Sequence, residues 1–190
     1  RKVVVAYFSR SNTTRSSELL NGLWHMGVRT YPVIGNIKDS YAKSLKAAYK
    51  SAGGKDKVNE WIVGLYRQYK PEVVVTQDTN GEYGHKQHMM IAEAAQNCIA
   101  LAANEDEFTA STIAYGTWQV KKLYLHLYPE NQITFDWTVP LKSMNGATGI
   151  ELAEEAYTLH KTQASSGMSV TETGTKYDNR VFGLAFTTVG

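Results

Sequence analysis

The chain has 190 residues, 43% of them hydrophobic and 20% charged, a composition typical of a folded globular domain. The formal net charge of +2 is spread along the sequence, which gives no support to a nucleic-acid or membrane-surface function. One cysteine, Cys98, excludes an internal disulfide and a cysteine-rich zinc site, and no apolar run is long enough for a transmembrane helix. This length predicts a single domain, residues 1–190.

Hydrophobic periodicity predicts strands and helices that alternate along the chain. In chain order, the predicted elements are strand 3–9, helix 14–26, strand 28–34, helices 40–50 and 55–69, strand 73–77, helix 85–103, strands 121–128 and 133–139, helix 150–164 and strand 179–189. Strands 3–9 and 73–77 are continuous apolar runs, a pattern that predicts burial on both faces. The alternation predicts an α/β fold with a Rossmann-like, mostly parallel sheet flanked by helices.

In such sheets, ligands bind beyond the carboxyl ends of the strands, and this rule selects two loops. The first loop, "SRSNTTR", follows strand 3–9 and leads into a helix. It is similar to the phosphate-binding loop of a flavodoxin, which would make the protein an FMN-binding electron carrier. The loop lacks the glycine usual in flavodoxins. Ser, Asn and Thr are also the residues that cap any helix N-terminus, so both interpretations stay open.

The second loop, "DTNGEYGHKQH", runs from Asp78 to His88 and contains two of the five histidines. His88 begins a helical stripe that predicts an inward-facing side chain, and His85 lies three residues earlier on nearly the same face. Two such imidazoles can share a metal, or one can bind metal while the other transfers protons. Histidines that only cap the helix or face solvent are the alternative.

The sequence "PEVVVTQDTNGEYGHKQHMMIAEAA" resembles the second signature of the PIG-L/LmbE family of zinc-dependent N-acetylglucosamine deacetylases. That signature is a strand, then Thr-x-Asp-x-x-Gly-x-Tyr-Gly-His-x-x-His, then a helix. The resemblance extends to "RSSELLNGLWHMGV", "GNIKDS" and "KKLYLHLYPEN". Lys86 and Gln87 replace the usual Pro-Asp between the histidines, and the family's first signature, Ala-His-Pro-Asp-Asp-Glu, is not in the sequence.

The resemblance implies amide hydrolysis by metal-activated water on an amino-sugar small molecule or glycoconjugate. It assigns His88 as a zinc ligand, and His85 as the catalytic group that stabilises the oxyanion or protonates the leaving amine. Arg15 and Asp39 would bind sugar hydroxyls, and Tyr83 would contact substrate. Asp78 would orient a histidine from outside the ligand set. A deacetylase relative that binds sugar without turnover is an alternative.

The missing signature would supply the general base and further zinc ligands, and we expect it upstream of Arg1. The chain is therefore expected to be an N-terminally truncated fragment that lacks the first strand of the sheet. We expect the fragment alone to be inactive and to hold zinc only weakly, because catalytic zinc sites use three protein ligands. The sequence does not determine the oligomeric state, or whether the protein is cytoplasmic or secreted.

Overall fold

The computed structural model describes residues 2–10, 12–164, 173–174 and 176–190. Strands and helices alternate through most of these residues, as predicted. The strands are β1 Ala6–Arg10, β2 Val33–Lys38, β3 Val73–Thr76, β4 Lys122–His126, β5 Gln132–Thr134 and β6 Val181–Thr187. The helices are α1 Thr13–His25, α2 Leu45–Ser51, α3 Lys55–Tyr69, α4 Lys86–Ala103, α5 Thr109–Tyr115, α6 Gly149–Thr158 and α7 Lys161–Ala164.

The contacts divide the chain into two compact units. Unit 1 comprises Arg1–Asp39 and Thr134–Arg180, and unit 2 comprises Ser40–Ile133 and Val181–Gly190. The single domain over residues 1–190 stays a prediction.

In unit 1, β1 and β2 pair in parallel, and α1 packs against α6. The helices bury Leu19, Leu23, Leu152 and Ala156, as the apolar spacing of α1 predicts. The prediction that the first strand is buried on both faces is wrong, because Phe8 is its one buried side chain within the described residues. Ala6 and Tyr7 are both exposed, so the apolar run does not reflect burial of the whole strand.

In unit 2, the described strands form a mixed sheet of order β3-β4-β6-β5. β3 and β4 are parallel, whereas β4 and β6 are antiparallel. Helices α2, α3 and α5 pack around α4 or against each other. The predicted burial of the third strand on both faces is also wrong, since Val73 and Val75 are about half exposed. β3 lies at the end of the strand order, so its side chains have fewer neighbours than those of β4.

Three element boundaries differ from the prediction for local reasons. β2 begins at Val33, directly after Pro32, because proline has no N–H to donate to the ladder. The predicted helix 150–164 ends at Thr158 and resumes as α7 at Lys161. Helix α5 was not predicted, because its seven residues are too few to show helical periodicity. Across the described residues, no helix is both long and apolar enough to span a membrane.

Candidate active site

A tight turn connects the end of β3 to the start of α4. The Asp78 carboxylate accepts hydrogen bonds from the backbone N–H of Asn80 at 2.9 Å and from its side chain at 3.2 Å. Gly81 has a φ of +70°, and a Cβ there would lie 2.3 Å from the carbonyl oxygen of His85. Any other residue at this position would push the turn away from His85, so Gly81 is required by close backbone approach.

The turn continues as one 3₁₀ turn, Glu82–Gly84, which is followed directly by His85. Tyr83 has a left-handed backbone, with a φ of +57°, and its side chain is exposed. The His85 N–H donates to the carbonyl of Glu82 at 3.1 Å, and the His85 carbonyl accepts the first bond of α4 from Met89 at 3.1 Å. His85 is therefore the N-cap residue of α4, and His88 follows in its first turn.

The two imidazole rings face each other across this first turn. Their centroids lie 4.5 Å apart with an interplanar angle of 41°. The Nδ1 atoms of both rings are buried, and that of His85 has no hydrogen-bond partner among the described residues. A buried ring nitrogen without a partner costs free energy unless a ligand satisfies it, and neutral imidazole is a common ligand for divalent metals.

The histidine pair fits a divalent metal as part of a ligand set. Catalytic zinc sites normally use three protein ligands. Within the ranges that the structure describes, no group of three or more His, Cys, Asp or Glu side chains is arranged to hold a metal ion. The described side chains therefore account for one or two of the ligands that such a site requires.

A buried ion pair anchors the turn to the neighbouring strand. His126, at the end of β4, is 5% exposed, and its Nδ1 lies 2.9 Å from both carboxylate oxygens of Glu82. Glu82 also accepts the backbone N–H of Asp78 at 3.0 Å. Sequence reasoning did not find this pair, because its members are 44 residues apart and no local pattern links them.

Burial acts to raise the pKa of Glu82, but opposing interactions hold it below the usual glutamate value. These are the hydrogen bonds from His126 and the Asp78 backbone, followed by electrostatic attraction to His126 and His88 in their protonated forms. A carboxylate with a depressed folded-state pKa stabilises the protein above the unfolded-state pKa. That contribution is lost as the pH falls through the folded value.

We therefore predict that the free energy of unfolding falls on acidification below about pH 4.5 partly because Glu82 becomes protonated. Urea unfolding at a series of pH values should show a shallower decline for Glu82→Gln than for the wild type. Glu72→Gln, which changes an exposed glutamate paired with Lys121, is the matched control and should follow the wild-type curve. Parallel curves for Glu82→Gln and the wild type would contradict the role of the pair.

In unit 1, Arg15 and Asp39 line a cleft of about 160 Å³ at the carboxyl ends of β1 and β2. Their side chains form an ion pair with an N–O distance of 3.6 Å, and both are partly exposed. Tyr7, His160 and Gln163 also line this cleft. A guanidinium and a carboxylate on one wall supply the donors and acceptors that sugar hydroxyls require.

A buried carboxylate fixes the segment that carries His160. Glu18 of α1 accepts the backbone N–H of Thr162 at 2.9 Å and its hydroxyl at 2.6 Å. His160 packs over Gly22, where an added Cβ would lie 2.9 Å from Nε2 of the ring. His160 lies just past the end of α6. Sequence reasoning did not identify it as a cleft residue.

The helix-capping interpretation of the first loop applies to Asn12. Its side chain accepts the backbone N–H of Arg15 at 2.8 Å, as an N-cap residue does. The rest of the cap region includes residue 11, which lies outside the described residues.

The predicted site residues thus fall into two groups. Asp78, Tyr83, His85 and His88 lie in the one turn of unit 2 that joins β3 to α4. Arg15 and Asp39 lie together in the cleft of unit 1. The individual roles of these residues stay predictions.

Comparison with protein families identifies the family of this chain. The model of the family described as PIG-L: GlcNAc-PI de-N-acetylase matches residues 4–99, which is half of the 190-residue chain. The chain belongs to the PIG-L family. The match includes both loops at the strand ends, and it favours the PIG-L interpretation of the first loop over the flavodoxin one.

Curated relatives from several organisms are named 1D-myo-inositol 2-acetamido-2-deoxy-alpha-D-glucopyranoside deacetylase, in some cases followed by the number 1. The relative from Frankia casuarinae is 31% identical over 118 residues, covering 58% of this chain and 37% of the relative. The relative from Catenulispora acidiphila is 27% identical over 171 residues, covering 86% and 51% respectively. The chain therefore spans about half or less of the length of these PIG-L relatives.

Proposed function

We propose that the protein is a metal-dependent hydrolase that removes the acetyl group from an N-acetylglucosamine-containing substrate. The observation that carries the proposal is the His85–His88 pair. The rings lie 4.5 Å apart in the first turn of α4, and both Nδ1 atoms are buried. The pair lies within the residues that match the PIG-L family. The relatives' names, which describe deacetylation of a 2-acetamido-2-deoxy-glucopyranoside of inositol, support the substrate class.

In this proposal, His88 holds the metal through a ring nitrogen, with other ligands completing the set. A bound zinc ion supplies a Lewis acid that polarises the acetyl carbonyl and increases the acidity of water. The His85 ring lies beside that of His88, with centroids 4.5 Å apart. It hydrogen-bonds the carbonyl oxygen of the substrate as negative charge develops on that oxygen, or it donates a proton to the leaving amine nitrogen. A protonated imidazole can perform both roles in succession: it first donates a hydrogen bond to the oxygen and then transfers a proton to the amine nitrogen, which leaves the ring neutral.

The remaining residues position the substrate and the histidines. Arg15 donates to sugar hydroxyls, and Asp39 accepts from them. Tyr83 is exposed on the turn two residues before His85 and contacts the substrate. Asp78 positions His85 indirectly. Its carboxylate accepts the Asn80 backbone N–H and so stabilises the turn that leads to His85.

The substrate class is tested on the full-length protein with a panel of N-acetylated compounds at equal concentration. The panel contains N-acetylglucosamine, its α-linked inositol conjugate, N-acetylgalactosamine and an N-acetylated amino acid. We expect free amine from the first two compounds in the presence of zinc, and loss of that signal after chelation and its return when zinc is restored. Equal release from the amino acid would contradict a sugar substrate, and sugar binding without release would identify a non-catalytic relative.

A further inference from the structure

Gln87, between the two histidines, connects the segment that contains Ser40 to the first turn of α4. Its side chain is buried. Its Oε1 accepts the backbone N–H of Ser40 at 3.1 Å, and its Nε2 donates to the Ser40 hydroxyl at 3.2 Å. These two bonds use both ends of the amide, so we call the pair the Gln87–Ser40 clasp. A carboxylate at this position could not donate to the hydroxyl oxygen.

The clasp fixes the residue that follows it, Tyr41, beside the histidine pair. The Tyr41 ring lies 5.1 Å from the His85 ring, centroid to centroid, and is perpendicular to it at 86°. This edge-to-face geometry is one that aromatic pairs prefer. Tyr41 is nevertheless 82% exposed, so most of the ring surface is open to solvent.

Isolated exposed tyrosines are common on protein surfaces and need no special explanation. Tyr41 differs in two respects. The adjacent backbone is held by a buried side chain, which restricts where the ring can lie. The ring also contacts His85, the proposed catalytic residue. Ligand sites are typically lined by aromatic side chains together with a few polar groups that fix orientation.

We propose that Tyr41 contacts the substrate by packing an aromatic face against the C–H face of its pyranose ring, and that Gln87 positions Tyr41 for this contact. The inference rests on the proposed function, because it takes the substrate to be an N-acetylated sugar. An aromatic face carries negative charge density, which attracts the weakly positive C–H groups of a pyranose, and the contact also buries apolar surface. Tyr41 thereby selects for a six-membered sugar next to His85.

The first test compares sugar binding by the wild type, Tyr41→Ala and Tyr41→Phe. The protein is titrated with methyl N-acetyl-glucosaminide, and binding is followed through the NMR signals of the protein, so that the measurement does not depend on turnover. Packing contributions of this kind correspond to a weakening of about tenfold for Tyr41→Ala. Tyr41→Phe keeps the ring and should bind within about twofold of the wild type. Because Tyr41 is exposed, neither variant should change the melting temperature appreciably.

The second test asks whether the Gln87–Ser40 clasp acts through Tyr41. Ser40→Ala removes only the hydroxyl end of the clasp, and Gln87→Ala removes both bonds. Each change should weaken sugar binding in the wild-type background and have a much smaller effect in the Tyr41→Ala background. Such non-additivity identifies coupled residues, whereas a general loss of structure would weaken binding equally in both backgrounds.

Unchanged sugar affinity in Tyr41→Ala, or no measurable affinity in the wild type, would overturn the proposal for Tyr41. Equal losses in both backgrounds would overturn the positioning role of Gln87. These outcomes are distinct from failure of the proposed function. That failure would appear as wild-type protein that binds the sugar, weakens as expected in Tyr41→Ala, and still releases no amine in the presence of zinc.

Discussion

In the full-length protein, replacing His85 by Ala should lower deacetylation turnover on the order of 10²-fold or more and leave the metal content unchanged, because the group lost stabilises the oxyanion or donates a proton and is not a metal ligand. Replacing His88 by Ala should instead lower the metal content, and turnover should fall with it. The two rings are close, with centroids 4.5 Å apart. A difference in metal content between the two variants would therefore reflect different chemical roles and not different locations.

The measurements are metal content by elemental analysis and the rate of amine release at saturating substrate. His25→Ala is the matched control, because His25 belongs to an ion pair with Glu155 in unit 1, away from the β3–α4 turn in sequence. It should retain both metal and turnover. If His85→Ala and His88→Ala lose metal to the same extent, the division of roles between the two histidines is wrong.

Replacing Arg67 by Met should have the largest effect on stability. Arg67 is fully buried in α3, and its guanidinium donates to backbone carbonyls at the end of α4 and before α5. Its acceptors are the carbonyls of Leu101, Ala102, Asn104, Glu107 and Phe108, together with the hydroxyl of Ser111, at 2.6–3.2 Å. The positive charge also lies at the negative end of the α4 dipole.

Methionine matches the length of the arginine stem but donates no hydrogen bonds, so it leaves several buried carbonyls without partners. We expect the free energy of unfolding to fall by roughly 3–5 kcal/mol. Arg67→Lys keeps the charge and part of the hydrogen bonding, and should lose about half as much. Lys57→Met, at an exposed position of the same helix, should stay within about 0.5 kcal/mol of the wild type. Urea denaturation provides the comparison, and a loss below about 1 kcal/mol for Arg67→Met would contradict the account.

The elements predicted best from sequence are those with sustained helical periodicity. The bounds predicted for α3, residues 55–69, are the observed ones, and the helix predicted from residue 85 begins at Lys86 with His85 as its N-cap. The strands occur in the predicted order along the chain, but the first and third strands are more exposed than predicted. A run such as Val73–Thr76 is apolar whether or not other elements cover it, so its sequence alone does not reveal which faces are exposed.

For the candidate site, the sequence locates the residues that one turn brings together. Gly81, Tyr83, His85 and His88 are close in the chain, so their spacing carries the geometry. Contacts that depend on tertiary structure leave no such trace. His126 reaches Glu82 across 44 residues, and Gln87 reaches Ser40 across 47. The sequence also predicts a polar loop over residues 163–179, of which residues 165–172 and 175 lie outside the described residues.

The measurement that tests the central claim most directly follows the acetyl group itself. N-acetylglucosaminyl-inositol labelled with ¹³C in its acetyl carbons is incubated with the full-length protein loaded with zinc, and the label is followed by NMR. The account predicts that the amide signal declines as free acetate appears in equal amount, with many turnovers per protein molecule, and that a chelator stops the conversion. A labelled amide that stays intact while the sugar binds would contradict the account.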